Sequence, residues 1–218
     1  MTSLQDQLDE ITAHTRHLVQ AERLAVSERS IEELFATGIE EKILPAGALA
    51  PEFALHDAAG RQVRSRDMLA LGPLVIKFFR GRWCPYCVTE LEAWRDLYGT
   101  LRERGALLVA IGPQTTKQND FMADQHRLRF PVLSDPGCEL AEKFGLAYTV
   151  PEYLREYYLS ILINIPFVNG EPSWRLPLPA TYVLGRDGRV VFAEAHADFR
   201  VRPEPEEVLA AAFAHPSR

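Results

Sequence analysis

Leu74–Leu91 reads LVIKFFRGRWCPYCVTEL. The run from Leu74 to Phe79 predicts a buried strand, and Arg80 to Trp83 a short loop. Cys84 and Cys87 follow at the start of a predicted helix. In that helix Val88, Leu91, Trp94, Tyr98 and Leu101 recur at helical spacing on one face. Arg102 and Arg104 fall in its last turn, where the dipole favours cations, and Gly105 suits the C′ position. A second apolar run, Ala106–Ile111, comes next. Strand, helix, strand makes a βαβ unit with parallel pairing and a right-handed crossover. The cysteine pair therefore belongs at the carboxyl end of a central strand and the amino end of a helix, where open α/β sheets place their chemistry.

The spacing is chemical. A helix amino terminus offers unpaired N–H groups and a positive dipole end, and both stabilise a thiolate. Cysteines at i and i+3 share a face and can close a local disulfide, so the pair can cycle between dithiol and disulfide. Pro85 fits the first turn, where a missing N–H costs nothing. Arg80 and Arg82 add positive charge. The pair is expected to lie close together and open to solvent. The first residues, MTSLQDQLDE, are polar and acidic and look like no export signal, so a reduced, cytoplasmic setting is expected and a structural disulfide is not. A zinc site normally needs a second cysteine pair or nearby histidines, and Cys138 is the one other cysteine. No metal and no cofactor is implied.

The 218 residues suit one domain with decorations, and an apolar content of 47% suffices for a sizeable core. A net charge of −6 argues against nucleic acid or an anionic membrane as partner. No apolar run reaches the ~18 residues of a membrane span.

Taken in order, residues 1–48 read as a helical extension. Leu4, Leu8, Ile11, Leu18 and Ala25 mark one helical face. Ser30 with Glu33 forms a capping box for a second, short helix, closed by Gly38. These helices either dock on the core or make a homodimer contact. Residues 49–218 read as the main domain. Phe53–His56 and Gln62–Arg64 flank a turn as a hairpin, and Arg66–Leu71 is a helical turn. A helix opens at Gln114–Thr116. Phe130–Leu133 is a strand, and a helix runs from Cys138 to Phe144, with Cys138 a buried helix residue. Residues 147–178 form an aromatic insertion, with a helix from about Glu152 to Ile163. Ala180–Leu184 and Val190–Ala195 make a hairpin around Asp187-Gly188, and Glu204–Phe213 is the last helix.

This order resembles the thioredoxin fold: an α/β domain with a central mixed sheet flanked by helices. More narrowly, the chain resembles the peroxiredoxin-like branch of the alkyl hydroperoxide reductase/thiol-specific antioxidant family. The matching stretches are Ala50–Asp57, Gly60–Val63, Phe78–Cys87 with Thr89-Glu-Leu91, Pro131–Asp135 with Ala141–Gly145, and Pro179–Leu184 with Asp187-Gly188. Laid on the family's site pattern, Arg80 takes a proline position, Cys84 a threonine position and Cys87 the peroxidatic position. Pro179 takes the place of the late-strand arginine, leaving Arg80, Arg82 or Arg175 to replace it. Pro179 also matches the cis-proline of thioredoxins. Trp83-Cys-Pro-Tyr-Cys87 looks like a thioredoxin active site, in which Cys84 attacks and Cys87 resolves.

The resemblance implies a thiol-dependent peroxidase that reduces hydroperoxides and is restored by a thioredoxin- or glutathione-linked thiol. The alternatives are a thiol–disulfide oxidoreductase acting on protein disulfides, and a non-enzymatic redox-sensing module. Cys84 and Cys87 are the candidate catalytic residues, supported by Trp83, Pro85, Tyr86, Pro179, Arg80 and Arg82. For Cys138 the alternative to a buried structural residue is a resolving thiol.

Overall fold

All five residues of the strand Leu74–Phe78 are buried, because both faces of this central strand are covered. The structure is a computed structural model that describes residues 2–214; Met1 and residues 215–218 lie outside the described residues. Its helices are α1 (Leu4–Leu18), α2 (Ala21–Ala36), α3 (Ser65–Leu69), α4 (Pro85–Glu103), α5 (Thr116–Gln125), α6 (Glu139–Lys143), α7 (Glu152–Ser160), α8 (Ile165–Asn169) and α9 (Pro205–Phe213). Its strands are β1 (Ala54–Asp57), β2 (Gln62–Arg64), β3 (Leu74–Phe78), β4 (Leu107–Gly112), β5 (Val132–Ser134), β6 (Ala147–Thr149), β7 (Arg175–Pro177), β8 (Ala180–Leu184) and β9 (Val190–Ala195).

Seven strands form one mixed sheet in the order β2-β1-β5-β4-β3-β8-β9. β3, β4 and β5 run parallel, and β8 pairs antiparallel to β3 with Phe78 opposite Ala180. The side-chain period of two splits the core into two layers. Leu74, Ile76 and Phe78 face one layer with Phe144 and Tyr182. Val75 and Phe79 face the other, beneath Leu91, Trp94 and Leu101 of α4. The expected helical face of α4 is thus the buried one, and Gly105 follows it at φ +83 as a C′ residue should.

The N-terminal segment differs from its expectation at two points. The apolar stripe does not run on to Ala25: Val19 is extended and ends α1, and Leu18 is exposed. Ser30 lies inside α2 rather than at its start, because its hydroxyl donates back to the Ser27 carbonyl (2.7 Å), a bond compatible with a helix interior. The capping box is instead Ser3 with Asp6, at the start of α1. α1 docks on the molecule. Leu4 and Leu8 are buried in the α4 layer. The Glu204 carboxylate accepts from the Leu4 and Gln5 amides (3.0 and 2.9 Å), closing the positive end of α1.

The insertion holds more structure than its sequence announced. β6 and β7 pair as a separate two-stranded sheet, and Asn164 caps α8 through the Phe167 amide (3.0 Å). Strands of three residues are too short to show a period. Cys138 is buried as expected, but it ends a one-turn 3₁₀ helix, Pro136–Cys138, and caps α6 rather than lying within it. It sits at φ +59 just before α6, at the end of a turn started by Pro136. Among the described residues no peptide bond is cis, so the thioredoxin-like expectation for Pro179 fails. Leu178 and Pro179 link β7 directly to β8, with the Leu178 amide held by the Leu146 carbonyl (2.8 Å), and a trans bond carries the chain between the two strands.

Candidate active site

The loop from β3 into α4 is fixed before any sulfur is considered. The Phe79 amide continues the ladder to the Ile111 carbonyl (3.0 Å), and the Cys84 amide closes a turn onto the Gly81 carbonyl (3.1 Å). Gly81 has φ +152, and a Cβ there would meet Trp83 Nε1 at 2.5 Å, so this turn requires glycine. The Gln114 side chain accepts from the Arg82 amide (2.9 Å).

Cys84 is the N-cap of α4. Its Sγ accepts from the Cys87 amide (3.4 Å) and from Arg80 Nη2 (3.3 Å). Arg80 is almost wholly buried. Its guanidinium stacks over Phe199 at 3.9 Å and stands 5.1 Å from the Trp83 ring. Burial by itself would raise the Cys84 thiol. A hydrogen bond from the Cys87 thiol, the charges of Arg80 and Arg202, and the Arg80 hydrogen bond overcome it and bring Cys84 down to about 5. Cys87 moves the other way. Burial, its donation to Cys84 and the negative charge on that sulfur all hold it as a thiol. The pair therefore consists of one thiolate and one thiol that hydrogen-bonds to it.

Beneath Cys87 lies a buried ionic cluster. Glu90 pairs with Lys77 and accepts from Arg202 Nε (2.9 Å). Lys77 also donates to Thr181. Arg202 Nη2 reaches Cys87 Sγ at 3.9 Å. Lys77, Glu90 and Arg202 are each at most 5% exposed. Burial presses the Lys77 ammonium below its usual range, and the Glu90 carboxylate opposes that.

The other expected residues fall in different places. Tyr86 packs edge-on against Phe199 (5.4 Å), and its hydroxyl meets that of Thr12 on α1 (3.1 Å). Trp83 packs on Tyr158 of α7 (5.2 Å). Pro85 is exposed at the first position of α4. Pro179 stands next to Phe79 by register, at the same sheet end as the cysteines. Arg82 turns away from the sulfurs to Gln118 (2.6 Å) and Phe121, and Arg175 pairs with Glu142 (3.1 Å). Of the three arginines considered, Arg80 alone meets the cysteines. Cys138 lies in the opposite core layer, across the sheet from Cys84 and Cys87, so it is no resolving thiol in this fold.

Two expectations need correction or addition. The sulfurs are not open to solvent: Cys84 and Cys87 are both 0% exposed, because Arg80, Trp83 and Phe199 close over them. Two surface cavities of about 170 Å³ each end on Arg80, one on each side of α2, and both are walled by Leu154, Tyr158 and Phe199. Sequence reasoning also missed Lys77, Glu90 and Arg202. Lys77 carried a signal, since a charge inside an otherwise apolar central strand demands a buried partner. Arg202 carried none, being 115 residues from Cys87.

A mixed sheet of this order, with a dithiol at the carboxyl end of its central parallel strand, defines a thioredoxin-like oxidoreductase. A family model described as AhpC/TSA family matches residues 46–193. The chain belongs to the AhpC/TSA family. It is 25% identical to the thiol-disulfide oxidoreductase ResA of Bacillus thuringiensis subsp. konkukian over 154 residues, 70% of each chain. It is 30% identical to the chloroplastic peroxiredoxin Q of Sedum lineare over 100 residues, 46% of this chain and 53% of that one. Among solved structures, peroxidoxin BcpB from Mycobacterium tuberculosis superposes with a TM-score of 0.63 at 22% identity, covering 80% of this chain and 99% of the other. Among the described residues no helix is long and apolar enough to cross a membrane.

Proposed function

We propose that the protein is a thiol peroxidase in which Cys84 is the nucleophile and Cys87 the resolving thiol. The observation that carries this is the Arg80–Cys84 contact. The cation and the free amide of α4 both face Cys84 Sγ, whereas Cys87 is held as a thiol. In the first step the Cys84 thiolate attacks the outer oxygen of ROOH. An S–O bond forms, the O–O bond breaks, and RO⁻ leaves to take up a proton as ROH. The resulting sulfenic acid is attacked by Cys87 sulfur, which releases water and closes the disulfide. An external dithiol, thioredoxin- or glutathione-linked, reduces that disulfide by exchange and is itself oxidised. Such a cycle belongs in a reducing compartment, and the cytoplasm is the setting we propose. Every side chain used belongs to a single copy of the chain, so the chemistry does not call for a homodimer.

A second reading is supported by the similarity to ResA: Cys84 attacks a protein disulfide directly, and Cys87 releases the mixed disulfide. The two separate in one experiment. Stopped-flow mixing of the reduced protein with hydrogen peroxide and mass spectrometry of the products are run on wild type, Cys84→Ser and Cys87→Ser. The peroxidase reading expects rapid disulfide in wild type, a stalled sulfenic acid in Cys87→Ser and no oxidation in Cys84→Ser. A wild-type dithiol that survives peroxide but reduces insulin overturns it in favour of exchange.

A further inference from the structure

Arg202 lies beyond residues 46–193, in the segment between β9 and α9, yet its guanidinium ends on the cysteine pair. Two of its nitrogens are engaged elsewhere. Nε donates to Glu90 Oε2 (2.9 Å), and Nη1 donates to the Val201 carbonyl (2.7 Å). Lys77 of β3 holds the same Glu90 carboxylate from the other side. A planar fork fixed at two nitrogens has a fixed third, and Nη2 is aimed at Cys87 Sγ at 3.9 Å. Arg202 is 5% exposed and both sulfurs are fully buried, so its charge acts on them with little screening.

Resting on the assignment of Cys84 as nucleophile and Cys87 as resolving thiol, we infer that Arg202 is a catalytic residue of the second step: its cation stabilises the attacking Cys87 sulfur once Cys84 has been oxidised. The charges around the pair change hands during the cycle. In the reduced protein burial, the hydrogen bond donated to Cys84 and the negative charge on that sulfur hold Cys87 as a thiol. Both contributions of the Cys84 thiolate end when it becomes an uncharged sulfenic acid. Arg202, and after it Arg80, then pull the Cys87 sulfur toward the thiolate. That thiolate attacks Cys84 Sγ. An S–S bond forms, the S–O bond breaks, and the leaving hydroxide combines with the proton given up by Cys87 as water. The charged and titratable groups around Cys87 are Cys84 and Arg80 from the turn, Glu90 on its own helix with Lys77 behind it, and Arg202. Glu90 is committed to two cations and Arg80 Nη2 to Cys84, so Arg202 is the cation with an N–H directed at Cys87. The same charge first helps to ionise Cys84, and thus serves the two sulfurs in turn.

The test reads the two steps separately in one time course. Reduced protein is mixed with hydrogen peroxide and acid-quenched, and mass spectrometry follows dithiol, sulfenic acid and disulfide in wild type, Arg202→Gln and Arg202→Lys. Gln keeps a donor for Glu90 and removes the charge, leaving Glu90 and Lys77 as a neutral buried pair; Lys keeps the charge. At pH 7 Arg202→Gln is expected to accumulate sulfenic acid, its second step slowed at least tenfold more than its first. Raising the pH should narrow that gap, and Arg202→Lys should recover most of the loss. A further readout needs no variant: the wild-type second step should reach half its maximal rate below the ordinary thiol value of about 8.5. A wild-type midpoint at or above that value, an Arg202→Gln protein that resolves as fast as wild type, or a deficit equal at every pH overturns the inference and leaves the peroxidase standing. A wild-type dithiol untouched by peroxide removes the peroxidase reading instead. The comparison then runs on 5,5′-dithiobis(2-nitrobenzoate), where release of the second thiolate reports the same attack of Cys87 on an oxidised Cys84, with the same outcomes expected and overturning.

Discussion

Arg80 Nη2 lies 3.3 Å from Cys84 Sγ, four residues along the chain and inside the protein. At this position the cation is dry, so its pull on the sulfur is little screened. That contact supports the proposed assignment of Cys84 as the nucleophile. Laid on the peroxiredoxin pattern, Cys87 takes the nucleophile's place. The charge distribution favours Cys84, because Arg80 and the Cys87 amide both donate to that atom.

Replacing Arg80 tests this directly. In Arg80→Met the thiolate loses its nearest cation, and burial is left to push the thiol up. The wild-type Cys84 ionises as pH rises through about 5, so its alkylation by iodoacetamide should be near plateau by pH 7. In the variant the midpoint should move up toward the ordinary thiol value of about 8.5, and alkylation at pH 6 should fall by more than tenfold. An unmoved midpoint would show that Arg80 is not what ionises the sulfur.

Access is the next question, because both sulfurs are covered. α2 spans the two cavities that lead to Arg80 and has no fully buried side chain. It is fastened by polar contacts: Glu28 to Arg200 (2.6 and 3.0 Å) and Glu33 to the Tyr153 hydroxyl (2.7 Å). An element with few buried contacts opens at low free-energy cost. Arg200→Ala should therefore speed Cys84 alkylation at pH 8 severalfold without moving its pH midpoint, and 1 M salt should have a similar effect on wild type. Hydrogen exchange should localise the change to α2. Equal alkylation rates in wild type and variant would exclude this route.

The sequence carried the fold well wherever a long period or a run announced it. β3, α4 and β4 follow from one stretch of residues because a buried parallel strand and an amphipathic helix have distinct patterns. The boundary between α1 and α2 escaped, since Leu18 and Ala25 kept the helical spacing across the break at Val19–Gln20. The three-residue strands β6 and β7 escaped for want of any period. At the site, the two cysteines and Arg80 were legible from local spacing. The burial of the sulfurs and the Lys77–Glu90–Arg202 cluster were not, because they arise from contacts between segments far apart in the chain. Glu90 even lay within a recognised motif, but nothing local says which cation will face it.

Cys138 supplies a control. It is buried on the far side of the sheet from the pair, and burial first, then the nearby Asp135 charge, hold it as a neutral thiol. Cys138→Ala should leave the rate of Cys84 oxidation and the yield of the Cys84–Cys87 disulfide unchanged. It should be felt only as a modest loss of stability from the vacated core volume. Appearance of a disulfide to Cys138 in the oxidised wild type, seen by peptide mapping, would contradict the two-layer separation.

The ionic cluster under Cys87 makes a prediction about stability rather than rate. Two cations, Lys77 and Arg202, share one carboxylate in the interior, and none of the three is solvated. Glu90→Ala leaves both positive charges buried with no counter-ion. Breaking a buried pair in this way costs about 3–5 kcal/mol, whereas removing the charges on both sides is close to neutral. Glu90→Ala should therefore lower the urea midpoint sharply at unchanged m-value, and a Lys77→Met, Glu90→Gln, Arg202→Met triple variant should recover much of that loss. The same variants separate fold from chemistry. The triple variant removes the Arg202 cation near Cys84 and Cys87, so it should stay folded while Cys84 ionises at higher pH than in wild type. A Glu90→Ala protein as stable as wild type would mean that water or a rearranged side chain neutralises the cluster, and that it is not the closed ionic core described above.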